Sequence, residues 1–96
     1  MNPDKVERDR VHQLTDLPNI GPAMAKDLES IGIKTPQQLV GKDPLKLYRG
    51  LCRKSGVRRD PCVLDVFMSV TSFMNGDEPR PWWTFTRERK RAYGSV

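Results

Sequence analysis

Four proline pairs govern what this chain can fold into. In Thr35-Pro36, Asp43-Pro44 and Asp60-Pro61, a residue with a side-chain acceptor for free helix N–H groups stands directly before a proline. Proline at the first helical position forfeits no hydrogen bond, because the N–H it lacks would have had no partner there. Two independent preferences coincide at each pair, and each pair predicts a helix start. Gly21-Pro22 is a fourth start, and glycines at 32, 41, 56 and 76 supply the stops. A chain cut this often makes short helices, and no segment alternates with period two. The predicted fold is all-α: a compact bundle of about five short helices around one core, joined by loops of roughly two to eight residues.

Periodicity fills in the helices. PAMAKDLESI puts Ala25, Leu28 and Ile31 on one face. Pro36 to Val40 makes one turn, and Pro44 to about Arg53 turns Leu45, Tyr48, Leu51 and Cys52 inward. From Pro61 to Asn75, Cys62, Val66, Val70 and Phe73 form one stripe, with Val63, Phe67 and Met74 beside it. Valine and threonine favour strands individually, but helical spacing sustained over this length overrides that preference. A first helix is expected from about Asp4 to Leu17, with Val6 or Val11, Leu14 and Leu17 inward. Beyond Asp77 the prolines at 79 and 81 and the charged end predict an extended arm. Residues 1–78 would then form the helical domain and residues 79–96 a Trp- and Arg-rich arm.

The segment LTDLPNIGPAMAKDLESIGI, residues 14–33, resembles the helix–hairpin–helix motif of DNA-binding and DNA-repair proteins. Asn19-Ile20-Gly21 occupies the tight turn, with Leu14 and Leu17 before it and Ala25, Leu28 and Ile31 after it. The resemblance implies that Ile20 inserts between the two helices and that Gly21 lets the backbone approach a ligand closely and take a positive φ. Asn19 stands where the motif has its first glycine; asparagine is among the non-glycine residues that best tolerate left-handed geometry. Backbone N–H groups at Asn19, Ile20, Gly21 and Ala23, with Lys26 nearby, would hold one phosphate at the positive end of the second helix. Such contacts hold a duplex without reading its sequence. The position after Gly21-Pro22, often basic in DNA-binding members, is Ala23. The other reading of the hairpin is a compact packing unit.

The wider order — hairpin, GIKTPQQLVGKDPLKLYRGLC, DPCVLDVFMSV, PRPWW — resembles the small bacterial pathogenicity-locus family, often labelled mitomycin-resistance proteins. More distantly it is similar to the C-terminal domain of TfoX-type competence regulators. The match runs from about Leu14 to Trp83 and implies an all-helical fold with a loose association with DNA.

Charge bears on the partner. The chain has 17 Lys and Arg against 12 Asp and Glu, a net charge of +5. Residues 1–45 hold six basic and seven acidic groups, whereas residues 46–96 hold eleven and five. A basic half suits nucleic acid, an anionic surface or an acidic protein partner. Arg49, Arg53, Lys54, Arg58 and Arg59 run across a helix end and the loop after it. The helix dipole alone favours cations there by ~0.3–1 kcal/mol each. Five positives with only Asp60 for company exceed what capping needs, and a phosphate-contacting patch is the functional reading. In the arm, Trp82, Trp83 and Phe85 precede Arg87, Arg89, Lys90 and Arg91. Aromatic rings among cations can stack on unpaired bases; equally, one or both tryptophans can fold back over a small core.

Several classes are set aside. At 96 residues there is room for one domain, and none for the second domain across whose cleft a hairpin-family glycosylase works. No enzyme is expected and no catalytic residue is assigned. Cys52 and Cys62, with the single His12, are too few for a four-ligand zinc site. They are expected as buried free thiols, with no metal and no cofactor. Asp16 and Asp65 sit on helices without an evident apolar pocket. No apolar run reaches the ~18 residues of a membrane span, and MNPDKVERDR lacks a secretion signal's apolar stretch. No membrane partner is expected, and the location expected is cytoplasmic. The functional expectation is weak, sequence-independent binding of duplex DNA. The alternative is an adaptor that grips an acidic protein with the tryptophan arm as anchor.

Overall fold

The computed structural model describes residues 8–94, and each of the four proline pairs opens a helix or a 3-10 turn. Helix α1 spans Pro22–Ser30, α2 Pro44–Ser55, α3 Pro61–Met74 and α4 Thr86–Tyr93. Single 3-10 turns lie at Arg8–Arg10, Leu14–Asp16, Pro36–Leu39 and Trp82–Phe85. The described residues hold no strand, and the fold class is all-α. The caps act as the sequence implies: Asp43 Oδ1 accepts from the Leu45 N–H at 2.9 Å and Asp60 Oδ1 from the Cys62 N–H at 2.8 Å. At Thr35-Pro36 the reach is backward, with Gln38 Oε1 accepting from the N–H groups of Lys34 and Thr35 at 2.5 and 3.1 Å. Gly56 stops α2 at φ +74°, its N–H returning to the Cys52 carbonyl.

Helix α3 is the spine. Leu64, Asp65, Val66, Phe67, Ser69, Val70, Thr71 and Phe73 are all buried, and α2, α4 and the turns at 36–39 and 82–85 pack around it. A helix buried on most sides must be apolar on most sides, and Asp65 is the one charged residue in its sequence. Leu17, Leu28, Leu39, Leu51 and Leu64 are each 1% exposed or less, so most elements pin at least one leucine into the common core. Truncating any of them to alanine should cost about 2–5 kcal/mol.

Three expectations change. The helix expected from about Asp4 to Leu17 is, among the described residues, two short turns. Asp16 Oδ2 accepts from the N–H groups of His12 and Gln13, both at 3.0 Å, which closes the turn locally. Pro18 holds Leu17 in extended geometry, ψ 150°. Val11, Leu14 and Leu17 are nonetheless buried, while Val6 lies outside the described residues.

The C-terminal arm expected to be extended is not extended over residues 82–93: these form a 3-10 turn running directly into α4, and both pack on α3. Phe85 and Arg89 recur on the inner face and are buried, with Tyr93 half-buried one turn on. A radius of gyration of 12.3 Å matches the roughly 12.5 Å of a compact chain this long, which a trailing arm would have exceeded.

Cys62, expected to face inward, is exposed; the first turn of α3 stands at the rim of the core, with Pro61 and Val63 only half-buried. Cys52 is half-buried, its Sγ accepting from the Arg59 N–H at 3.4 Å.

Candidate functional site

The segment from the Leu14–Asp16 turn through Asn19-Ile20-Gly21 into α1 turns where the sequence places its hairpin. Asn19 takes φ +69°, the left-handed geometry expected of it. Its Nδ2 donates to Ser69 Oγ at 3.1 Å and to the Arg80 carbonyl at 2.8 Å, tying the turn to α3 and to the start of the C-terminal segment. Gly21 differs from expectation. It sits at φ −96° and ψ −178°, extended backbone open to any residue, and a Cβ built there meets nothing within 4 Å. Ile20 is spent on structure, with its side chain 3% exposed and its N–H bonded to the Leu17 carbonyl. Gly21, Ala23 and Lys26 remain exposed, and no side chain caps the first turn of α1.

The basic surface belongs to α2. Lys46, Arg49, Arg53 and Lys54 are all exposed, and PLKLYRGLCRKS contains no acid to balance them. Two grooves meet at Arg53. One is lined by Lys46, Arg49, Cys52 and Arg53, the other by Ser30, Ile31, Gly50, Arg53 and Lys54. Arg58 is exposed in the following loop. Among the described residues none of these five cations makes an ion pair.

Arg59, grouped with them in the sequence, is used differently. Its guanidinium pairs with Asp27 of α1 at 2.6 Å, its N–H points at Cys52 Sγ, and its carbonyl accepts from the buried Tyr48 hydroxyl. Burial, with Cys52 alongside, pushes the Tyr48 phenol above its ordinary pKa. Arg59 thus docks the α2–α3 loop onto α1, and its charge is locally neutralised.

The nine residues of α1 span about 13 Å at 1.5 Å per residue. Gly21 and Ala23 lie at its N-terminal end, Lys26 midway, and Ser30 and Ile31 beside Arg53 and Lys54 at the other. The structure therefore does not gather the candidate residues around one phosphate. It strings them along α1, from its N-terminal end to the groove at Arg53.

At the C-terminal end the two tryptophans part ways. Trp82 packs against the core, and Trp83 is 60% exposed with its ring perpendicular to Trp82 at 5.9 Å. Two residues that carry this region, Asp65 and Arg80, were given no role by the sequence. Asp65, with no exposure, holds Arg89 Nε at 2.6 Å on one carboxylate oxygen and Thr86 Oγ1 at 2.7 Å on the other. Arg80 lies 3.9 Å over the Phe85 ring, donates to the Thr84 side chain and carbonyl, and pairs with Glu88 at 2.9 Å. The signal available was Asp65 itself: a single carboxylate in an otherwise uncharged, apolar helix must find a buried partner.

Among the described residues no cluster of three His, Cys, Asp or Glu could hold a metal ion, and no helix is long and apolar enough to cross a membrane. Fold and surface together define the class: a small all-α domain wrapped around one apolar helix, with an exposed face of a single sign. The model of the pathogenicity-locus family, Cdd1, matches residues 7–91, and the chain belongs to that family. It is similar to a mitomycin resistance protein, McrB, of Streptomyces lavendulae, at 45% identity over 78 residues that cover 81% of this chain and 74% of that protein. No solved structure matches the chain.

Proposed function

We propose that this domain binds duplex DNA weakly and without sequence preference, acting by attachment and not by catalysis. The observation that carries the reading is the exposed face of α2, where Lys46, Arg49, Arg53 and Lys54 stand without a single acidic neighbour on their helix. Such a face attracts a polyanion through many weak phosphate contacts, each releasing counterions. Gly21 and Ala23, at the uncapped start of α1, supply amides for one further phosphate. The hairpin then acts as a helix–hairpin–helix element, aligning α1 along the strand. Three to five phosphate contacts give a log–log salt slope of roughly −3 to −5, at about 0.9 per contact. Affinity is micromolar or weaker at physiological salt.

The test is a salt-titrated binding series on a random-sequence duplex with three variants. Arg53→Glu/Lys54→Glu should weaken binding tenfold or more and flatten the slope. Lys26→Glu reverses an exposed charge and leaves stability within ~0.5 kcal/mol. Gly21→Ala places a methyl group in open space, so it folds while obstructing the approach of an anion to the backbone. Weakening by all three supports the full interface. Loss with the α2 pair alone makes the hairpin a packing unit and confines the site to the C-terminal half. Tight, salt-insensitive capture of one acidic protein, with no duplex binding, would replace DNA with a protein partner. Kinship with a protein named for mitomycin resistance makes survival in mitomycin the cellular readout for the same variants.

A further inference from the structure

The C-terminal helix carries two opposed stripes. Phe85, Arg89 and Tyr93 recur every four residues and face the core. Trp83, Arg87, Lys90 and Arg91, at spacings of three and four, face outward. The outer stripe lines an open groove of about 660 Å³ together with Thr84, Thr86 and Glu88. Three features make it more than a solvated surface. Trp83 is 60% exposed, yet its ring is set perpendicular against Trp82, which packs on the core; its plane is held. Glu88, the one acid of the groove, is already paired with Arg80 at 2.9 Å. Arg87, Lys90 and Arg91 therefore leave the groove with an unopposed positive field, and among the described residues they form no ion pair. A held aromatic plane beside unpaired cations is the chemistry that binds a base by its π-face and its phosphates by charge.

We propose that this groove is a second nucleic-acid site, specific for single-stranded segments: one unpaired base stacks on Trp83 while Arg87, Lys90 and Arg91 hold the flanking phosphates. The inference deepens the DNA-binding reading and rests on it, but uses different residues from the α2 face. In duplex DNA the faces of the bases are stacked on one another, so Trp83 has a ring to meet only where pairing is absent. The groove is also tied to the hairpin turn, since Asn19 bonds the Arg80 carbonyl three residues before Trp83. A molecule holding duplex along α1 and α2 would thus carry a reader of unpaired bases on the same rigid body.

The experiment titrates the full chain with oligo-dT and with a blunt duplex of equal length, following tryptophan emission and anisotropy of labelled DNA. Wild type should bind oligo-dT with quenched emission. Trp83→Ala should weaken oligo-dT roughly five- to hundredfold, the range expected when one stacked base is lost, and change duplex affinity less than twofold. Trp83→Phe should restore part of the loss, and Arg87→Glu/Arg91→Glu should weaken oligo-dT and reduce its salt dependence. Circular dichroism of each variant confirms that the helices persist. Unchanged oligo-dT affinity in Trp83→Ala, or equal losses on both DNAs, overturns the proposal while leaving duplex binding through α2 standing. Failure to bind either DNA overturns both. A concentration-dependent dimer that Trp83→Ala abolishes would assign the face to a second copy of this chain and overturn the nucleic-acid assignment.

Discussion

Asn19 does more for the hairpin than the glycine beside it. Its φ of +69° would cost an alanine about 1–2 kcal/mol, and its carboxamide makes two hydrogen bonds to groups 50 and 61 residues away. Asn19→Ala should therefore lose roughly 3–4 kcal/mol in urea unfolding, counting about 1 kcal/mol per bond. Asn19→Gly, free of the backbone strain, should lose about half of that. Equal losses would mean that the left-handed geometry contributes nothing. Cys62 offers a second residue-scale check. It is exposed, but the Asp60 carboxylate that accepts its N–H also raises the thiol above its ordinary pKa, with partial burial adding to the effect. Asp60→Asn keeps a good helix cap and removes the negative charge. Native alkylation at pH 7 should thus favour Cys62 over the half-buried Cys52, and the variant should react several times faster. A slower variant would contradict this electrostatic account.

Among the elements, α4 is the one the sequence conceals. TRERKRAY has five charged residues in eight, and by composition it belongs in water. What brings it home is chiefly a buried carboxylate: Asp65, fully buried, holds Arg89, 7% exposed, on one oxygen and Thr86 on the other. Removing one partner of such a pair strands the other, at a cost of about 3–5 kcal/mol. Asp65→Ala and Arg89→Ala should each lose stability in that range. The double variant should lose much less than their sum, and additive losses would show the pair to be uncoupled. The same contact rules out the simplest truncation. Cutting the chain at residue 86 removes Arg89 and Thr86 from Asp65 and uncovers α3, so a weakened DNA affinity would report damage to the fold. Charge reversal at Arg87 and Arg91 is the clean probe of that face. By contrast α1, α2 and α3 were legible in the sequence because their start signals are local: a cap, a proline and a glycine within one short window fix each end.

At the scale of the whole molecule, acid stability follows from carboxylates used as turn and cap acceptors. Backbone N–H groups of His12 and Gln13 hold Asp16 below the ordinary carboxylate pKa, and the Cys62 N–H does the same for Asp60. A group whose pKa is lowered on folding contributes stability above its unfolded value, about 3.9 for aspartate, and loses it as pH falls through the folded value. The thermal midpoint should hold steady from pH 8 to about 5 and then decline. Asp16→Asn should lower it at neutral pH and shrink the acid decline. A midpoint insensitive to acid would remove both carboxylates from the stability of the fold. Across the molecule, the sequence by itself determined the all-α class, the starts of α1 to α3, the left-handed turn at Asn19 and the basic character of the second half. Each of these follows from interactions within a few residues, or from composition. Only the tertiary structure decided that residues 82–93 fold back as a helix, that Arg59 is tied to Asp27, and that Trp82 goes inward while Trp83 stays in water. Those outcomes depend on partners 21 to 61 residues away — Asp65 for Thr86 and Arg89, Asp27 for Arg59, Asn19 for the Arg80 backbone. Periodicity and capping report only the contacts between near neighbours in the chain, whereas a buried charge is satisfied by whatever the packing of the whole core brings against it.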